Sequence, residues 1–556
     1  MSCYKKTGEP GAEELLFLPL GGSGEIGMNL NLYGHDGQWL IVDVGITFGD
    51  PTTPGVDVIM PDPAFIEERQ DQIAGIVLTH AHEDHLGAMP YLWPKLQCPV
   101  YATPFTAAFL RRKLAETDFV DDVEIIEIPL SGHFSVGCFD IELITLTHSI
   151  LEPNALVIRT PAGKIMHTGD WKLDPDPALG PNTDEQALIR AGDEGMLAMV
   201  CDSTNALNPG WSGSEGVVRK NLIDLVGELS GKVAIACFAS NVARLESATQ
   251  AGLQNGRKVA LVGRSLWRIL DAAKETGYLQ DLPPFLEADE AAKLPANKVL
   301  LICTGSQGEP RAALSRIARM DHPDVSLGNG DTVIFSSREI PGNEVGISEV
   351  QNNLTDLGVD IITASDREIH TSGHPNRDEL AQMYQWIRPQ IAIPVHGEPR
   401  HLRAHAKLAR DCQVPHGMAG KNGLLMSLSE EGVEVIDEVF SGRLYLDGNR
   451  LMPMGNTPLR DRRKMSWNGF VLASLVIDDE GELLIDPEVA VEGLLDHDDQ
   501  AWEELIDTAE RSLNKLSKKF KKDDGKIMEA VRVDIRRKCQ DLTGKRPTVR
   551  IHLARV

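Results

Sequence analysis

The chain has 556 residues, 42% hydrophobic and 25% charged, with a formal net charge of −27. That size and balance imply several globular domains and argue against a nonspecific nucleic-acid coat protein, whose footprint is usually basic. No apolar run reaches the ~18–20 residues of a membrane helix. The opening Met1-Ser-Cys-Tyr-Lys-Lys lacks the apolar stretch of a secretory signal. The eight cysteines are scattered, with no CxxC pair. Cys98, Cys138, Cys201, Cys237 and Cys303 adjoin apolar runs, as expected of reduced thiols in a cytoplasmic protein.

The first 200 residues read as short strands, at 15–20, 30–33, 39–43, 73–79, 100–102, 141–147, 155–160, 164–167 and 196–202. Most are continuously apolar, the pattern of sheets covered on both faces. Helices are expected between them at 62–71, 85–96, 104–117 and 183–192, which makes a layered α/β sandwich. Gly22-Ser-Gly24-Glu-Ile-Gly27 fits the dinucleotide pattern GxGxxG. Because Asn29-Leu-Asn-Leu-Tyr33 continues as strand and not as helix, a hairpin turn is expected there.

From Gly213 helices at 214–229, 241–254, 265–276, 310–319 and 342–356 alternate with strands at 232–238, 258–262, 298–303, 331–335 and 359–362. That spacing predicts a separate domain with a parallel sheet. The expected organisation is a first domain over 1–210, an insertion over 211–365, and completion of the first domain by strand-turn structure over 366–450. A linker follows at 451–468, marked by Pro453, Gly455, Pro458 and the run Arg460-Asp-Arg-Arg-Lys464. A small α/β unit over 469–556 would contain a strand at 469–477, helices at 498–520 and 523–542, and a strand at 548–552. Residues 471–510 hold fourteen acidic and no basic residues, whereas 511–556 hold fifteen basic and five acidic ones. The basic stretch 515–526 reads either as a solvated helix face or as a tail contacting RNA or another subunit. His401 and His405, at i,i+4 spacing among Arg and Lys, are expected on a solvated helix face.

The densest chemistry is His80-Ala-His82-Glu-Asp84-His85, four metal-ligand types in six residues at the end of an apolar strand. Neighbouring side chains point apart, so one ion cannot use all four. Two ions can share them, with His80 and His82 leaning one way and Asp84 and His85 the other. Imidazole with carboxylate suits zinc first and manganese second. Two such ions ~3.5–4 Å apart activate water against phosphate esters or amides. Three more strand ends carry ligand types: His148, Asp170 and Asp43. Asp170 suits a bridging carboxylate, and Asp43 an acid that orients a histidine.

In this order the motifs resemble the metallo-β-lactamase superfamily, and the domain after residue 213 resembles the insertion of its β-CASP subgroup. Three further motifs carry the likeness: Val200-Cys-Asp202, His370-Thr-Ser-Gly-His374 and Ile393-Pro-Val-His396-Gly-Glu. Phe238-Ala-Ser240, Gly263-Arg-Ser265, Thr304-Gly-Ser-Gln-Gly-Glu-Pro310 and Phe335-Ser-Ser-Arg-Glu-Ile-Pro-Gly-Asn-Glu344 are similar to the ribonuclease J family specifically.

The resemblance implies an αββα metallo-β-lactamase sandwich with an inserted parallel-sheet β-CASP domain and a small C-terminal α/β domain. It implies two zinc ions, with manganese as the alternative. His80, His82 and His148 would hold one, Asp84, His85 and His396 the other, with Asp170 bridging. Asp84 and Asp170 thereby join the catalytic set, and His374 would bind the scissile phosphate or protonate the leaving oxygen. His396 is the RNA-type residue at its motif. Phe238, Ala239 and Ser240, with His370, Thr371, Ser372 and Gly373, would bind the RNA backbone through exposed N–H and hydroxyl groups. Arg264 and Ser265 would grip a 5′ phosphate, Phe48 would stack on a base, and Asp202 would support the site. The implied activity is a ribonuclease, mainly 5′→3′ exonucleolytic with some endonucleolytic cleavage, acting in mRNA decay and rRNA maturation. Its partner would be 5′-monophosphorylated RNA, its state a homodimer or higher homo-oligomer. The rival readings are a DNA nuclease of the same fold, a small-molecule hydrolase, and a non-catalytic RNA-processing subunit. His396 opposes the first, the inserted domain the second, and the complete ligand set the third.

Overall fold

The computed structural model describes residues 8–496 and 500–556. They form two compact units, one made of the chain up to Thr47 with Val58–Leu444, the other of Phe48–Asp57 with Tyr445–Val556.

Among the described residues, the larger unit has an eight-stranded sheet in the order Gly432–Glu438, Leu424–Ser429, Leu16–Gly21, Leu30–His35, Gln38–Val42, Ile73–Val77, Val100–Ala102 and Ile125–Glu127. A seven-stranded sheet runs His416–Gly417, Ile391–Val395, Ala198–Asp202, Gly163–His167, Asn154–Thr160, Phe139–Thr145 and His133–Val136. Phe17, Tyr33, Val42 and Val77 of the first meet Ile141, Leu156, Val200 and Ile393 of the second in one buried cluster. Helices Glu185–Asp193, Arg377–Ile387 and Pro399–Asp411 cover the outer face of the second sheet through Leu188, Leu380, Met383 and Leu408. The helix Pro104–Leu114 packs on Val100–Ala102 and Ile125–Glu127 of the first sheet and buries Phe105 and Leu110. The layers are therefore helix, sheet, sheet, helix. Cover on both faces explains why strands such as Leu16–Gly21 and Ile391–Val395 are buried at every position. Each fully buried Leu or Phe contributes about 1.5–3 kcal/mol.

Gly22, Gly24 and Gly27 turn the chain at φ of 86°, 101° and 90° between the antiparallel strands Leu16–Gly21 and Leu30–His35. No helix follows, so this glycine-rich segment is a hairpin turn. A side chain at Gly22 would lie 2.3 Å from Asn29 Oδ1.

The inserted region forms its own five-stranded sheet, ordered Lys258–Val262, Val299–Cys303, Val233–Ala236, Thr332–Phe335 and Asp360–Ile362. Every pairing in it is parallel. Crossover helices such as Val242–Gln254, Arg264–Glu275 and Glu344–Asp356 supply its connections, as parallel strands require.

Two segments differ from the expectation. Residues 366–450 contain, besides strands, the unexpected helix Arg377–Ile387 and the helix Pro399–Asp411 that carries His401 and His405. An Asn376/Glu379 capping box starts the first, and Leu380, Met383, Tyr384 and Ile387 give it an apolar stripe. Residues 451–468, the expected linker, fold as the end of strand Arg450–Pro453 and the helix Thr457–Asn468. Asn456 caps that helix by accepting from Leu459 N, and Pro458 sits in its first turn, where a missing N–H costs nothing.

In the smaller unit, Phe470–Ile477 pairs antiparallel with Glu488–Glu492 and parallel with Thr548–Arg555. Its residues alternate between buried and half-buried, the buried face lying against helices Ala501–Asn514 and Asp524–Thr543 through Leu505, Leu513, Ile527, Val531 and Ile535. In the basic stretch 515–526, Lys521 pairs with Glu482, Lys522 with Glu480 and Lys526 with Asp523.

Candidate active site

The ligand-type residues sit where strands end, because a strand's last residue leaves the covered sheet and faces the rim of the sandwich. Ile73–Val77 delivers His80, His82, Asp84 and His85, and Phe139–Thr145 delivers His148. Gly163–His167 leads to Asp170, Ala198–Asp202 ends in Asp202, and Ile391–Val395 leads to His396. Asp43 and His396 adopt left-handed backbone at φ 65° and 53°. Such a conformation costs a non-glycine residue about 1–3 kcal/mol and persists only where its surroundings hold it.

The ligand atoms gather in two groups, His80 with His82 and His148, and Asp84 with His85, Asp170 and His396. His82 Nδ1 lies 3.1 Å from His80 Nε2 and 3.0 Å from His148 Nε2. Nitrogens on one tetrahedral zinc at about 2.0–2.1 Å would stand about 3.3–3.4 Å apart, so this trio is close to a ligand triangle. Asp170 Oδ2 faces both groups, 3.2 Å from His85 Nε2, 3.4 Å from His396 Nε2, 3.9 Å from His148 Nε2 and 4.0 Å from His80 Nε2. Asp84 Oδ2 lies 3.6 Å from both His85 Nε2 and His396 Nε2. Asp170 Oδ1 is buried and has no hydrogen-bond partner among the described residues. A buried carboxylate oxygen left bare costs free energy unless a cation meets it. The donor set and this bare oxygen fit a pair of divalent ions.

Supporting groups fix which ring nitrogen faces inward. Asp43 accepts from His85 Nδ1 at 2.7 Å and from Thr79 N and Oγ1 at 2.8 Å, which leaves His85 Nε2 for the centre. His148 Nδ1 donates to the Gly373 carbonyl, so its Nε2 faces His82. Burial, then the neighbouring imidazoles, hold His80 and His148 well below the usual histidine range, and burial brings His82 down to about 4. The trio is therefore neutral at pH 7, the form that binds metal. Burial also opposes ionisation of Asp170, but His396 and His85 outweigh it and hold that carboxyl well below the ordinary range.

His374 stands beside this cluster, its ring stacked on His396 at 5.6 Å between centroids. Its Nδ1 donates to Asp202 Oδ2 at 2.8 Å. Burial lowers the pKa of His374, but Asp202, then Asp170 and Asp84, carry it up to about 9. Nδ1 being committed to Asp202, Nε2–H is the proton available to a substrate. Asp202 and His374 also form an overlapping carboxylate-imidazole group with Asp170 and His396; the short Asp202–His374 bond makes hydrogen bonding the better account of that pair.

The remaining expected residues lie around this cluster or apart from it. Thr371 Oγ1 donates to the Ser212 carbonyl, and Ser372 Oγ accepts from His374 N, so both hydroxyls shape the loop that presents His374. His370 is half-buried against Arg244, and burial, then Arg244, bring it down to about 3. Phe238, Ala239 and Ser240 form the half-buried turn before the helix Val242–Gln254. Asn241 Nδ2 and Arg244 both reach Glu215, and Arg244 Nη1 also reaches the Ile369 carbonyl, which ties this turn to the His370 loop. Arg264 and Ser265 are exposed at the start of the helix Arg264–Glu275, with no hydrogen bond or ion pair to the cluster among the described residues. Phe48 is exposed and belongs to the smaller unit. The solvated face expected for His401 and His405 is a correction. Both are buried, His405 completely, bonded to Ser203 Oγ and the Tyr384 hydroxyl, because the apolar side of Pro399–Asp411 turns them onto the sheet.

Family models match the chain in register with this architecture. "Metallo-beta-lactamase superfamily" covers 28–196, "Ribonuclease J, beta-CASP domain" 230–354, "Zn-dependent metallo-hydrolase RNA specificity domain" 364–425 and "Ribonuclease J C-terminal domain" 457–556. Ribonuclease J of Sinorhizobium meliloti is 45% identical over 551 residues, 98% of each chain. The chain belongs to the ribonuclease J family. Ribonuclease J of Mycolicibacterium smegmatis is 39% identical over 92% of each chain, and Ribonuclease J 1 of Streptococcus pyogenes 37% over 86% of each. A crystal structure of a protein of unknown function from Enterococcus faecalis shares the fold at a TM-score of 0.54 and 17% identity, over 75% of this chain and all of that one. Membership makes this chain a metal-dependent ribonuclease. Among the described residues, no helix is long and apolar enough to cross a membrane.

Two polar residues of this ribonuclease J member escaped the sequence reading. Asn29 is buried, with Nδ2 2.8 Å from His396 Nδ1 and donating to the Asp84 carbonyl at 3.0 Å. Asn205 donates to Ser372 Oγ and the His374 carbonyl, and accepts from Arg338 at 2.9 Å. The available signal was position: Asn29 ends the glycine-rich turn, and Asn205 follows Asp202 by three.

Proposed function

We propose that this ribonuclease cleaves RNA phosphodiesters at a dinuclear centre, held by His80, His82 and His148 on one side and by Asp84, His85 and His396 on the other, with Asp170 between them. The arrangement that carries this reading is Asp170 Oδ2 facing both histidine groups while His374 stands at their edge. When bound, two zinc ions, or manganese in their place, acidify water and neutralise phosphate charge. Asp43 and the Gly373 carbonyl accept from Nδ1 of His85 and His148 and so aim the Nε2 atoms of both rings inward. His374, charged at neutral pH, hydrogen-bonds the scissile phosphate through Nε2 and gives its proton to the leaving oxygen. Asp202 holds the ring and its charge in place.

The turns 238–240 and 371–373 bind the RNA backbone, Arg264 and Ser265 take a 5′ phosphate, and Phe48 stacks on a base. The enzyme works mainly 5′→3′ on monophosphorylated RNA with some internal cleavage, in mRNA decay and rRNA maturation. It is cytoplasmic and forms a homodimer or higher homo-oligomer. The deciding experiment incubates the protein with end-labelled 5′-monophosphate and 5′-triphosphate RNA, with and without chelator. Mononucleotides released faster from the monophosphate, and only without chelator, are the expected result. Equal rates with no mononucleotide would exclude the 5′-end-sensing mode.

A further inference from the structure

The helix Thr457–Asn468 lies wholly within the smaller unit and carries four basic residues and one acidic residue in a chain of net charge −27. Its basic side chains are sorted by face. Arg462 points one way and grips Asp447 through both terminal nitrogens, at 2.7 Å each. Arg460, Arg463, Lys464 and Trp467 recur at i, i+3, i+4 and i+7, within an arc of about 100° opposite Arg462. All four are exposed, Trp467 by 78%. Arg460, Arg463 and Lys464 make no ion pair with a carboxylate among the described residues. With Asn468 they border an open space of about 360 Å³.

We propose that this face is a second RNA-binding surface, on which Arg460, Arg463 and Lys464 hold successive phosphates of a single strand and Trp467 stacks on a base. Three cations without acidic partners beside an exposed indole are the pairing that single-stranded nucleic acid needs, a charged track with an aromatic step. The occupant is chosen by charge. A second copy placed with this face on the two-fold axis would set the three cations against themselves. A membrane surface would need an apolar face, and the helix buries only Leu459. The inference rests on RNA being the substrate, and it gives the enzyme a hold on RNA through residues outside the catalytic cluster.

The test titrates the full-length, metal-loaded protein with a labelled, cleavage-resistant single-stranded RNA of about 30 nucleotides at several salt concentrations. Wild type is compared with Arg460→Ala/Arg463→Ala/Lys464→Ala, Trp467→Ala and Trp467→Phe. The triple variant should bind about tenfold or more weakly, with a salt slope lower by about 2, since each single-strand phosphate contact contributes roughly 0.7. Trp467→Ala should lose about 5- to 150-fold at an unchanged slope, with Trp467→Phe restoring most of it. Wild-type affinity and slope in the triple variant would overturn the proposal. So would an altered sedimentation mass with RNA affinity intact, which marks a subunit contact instead. The titration reads binding alone, so an error in the dinuclear mechanism would appear in cleavage assays and leave this result standing.

Discussion

Asp202 Oδ2 accepts a 2.8 Å hydrogen bond from His374 Nδ1, and that carboxylate is what holds the imidazole charged, at a pKa of about 9, where burial alone would strip its proton. Replacing Asp202 by Asn removes the charge and keeps the size. The basic limb of the kcat–pH profile should then move to lower pH, because His374 loses its proton earlier. His374→Ala should lower kcat by about 10²–10⁴-fold, the usual contribution of a positioned acid. Single-turnover rates on saturating RNA across pH 6–10 check both. An unmoved basic limb in Asp202→Asn would mean that His374 is not the titrating acid.

Removing metal tests the centre directly. With His80, His82 and His148 neutral at pH 7, the trio carries no proton that an ion must displace there. A chelator should abolish cleavage, and returning zinc or manganese should restore it. Ions at a hundred times their Kd should add about 2.7 kcal/mol of stability per site by mass action. His80→Ala should lower the metal content by about one ion per chain and Asp170→Ala by more, as elemental analysis would report.

Among the described residues, Asp43 touches the centre through His85 Nδ1 and Thr79. Asp43→Asn keeps the shape but no longer fixes the charge and tautomer of His85. Metal affinity should fall about 10- to 100-fold, with activity returning at high metal concentration. Activity that metal fails to restore would show that Asp43 does more than orient its histidine.

The chain order of the ligand-type residues was legible because strand ends deposit them. An apolar run followed by His80-Ala-His82-Glu-Asp84-His85 needs no tertiary knowledge to be read as a metal loop, and the β-α rhythm after Gly213 reads as a parallel sheet. What escaped depends on context. Asn29 and Asn205 are ordinary polar residues until the fold brings Asn29 to His396 and Asn205 to the His374 loop, separations of 367 and 169 residues. The helix Thr457–Asn468 hid behind Pro453, Gly455 and Pro458, which read as a linker although Pro458 suits a first helical turn. His405 was misjudged because its Arg and Lys neighbours mark the solvated side of the helix, while i,i+4 spacing from His401 sets both histidines on the buried side.

His405 also makes stability depend on pH. Burial brings its pKa down to about 4, whereas the unfolded chain has the ordinary ~6.5. Between those values the unfolded state binds the extra proton, so stability rises with pH across that window and is lost as pH falls from about 6.5 to 4. The loss reaches about 3 kcal/mol. His405→Gln, which stays neutral, should flatten the denaturant midpoint between pH 7 and 4.5 relative to wild type. Parallel pH curves for the two proteins would refute the assignment.

Arg244 and Glu215 form a fully buried ion pair, with Arg244 Nη2 2.9 Å from Glu215 Oε2. Arg244 Nη1 also donates to Ser336 and to the Ile369 carbonyl, next to the His370 loop. Removing one partner leaves a buried charge without compensation, a cost of about 3–5 kcal/mol. Arg244→Ala and Glu215→Ala should therefore each destabilise the larger unit strongly. The double variant should be less destabilised than the sum of the two, since neither charge is then stranded. Glu215→Gln keeps hydrogen bonds to Arg244 and removes the negative charge. It should fold and raise KM for RNA while leaving metal content unchanged, because the loop it steadies carries the proposed backbone contacts and no metal ligand. A drop in metal content would instead place the effect of this pair on the dinuclear centre, and equal KM values would show that the pair serves packing alone.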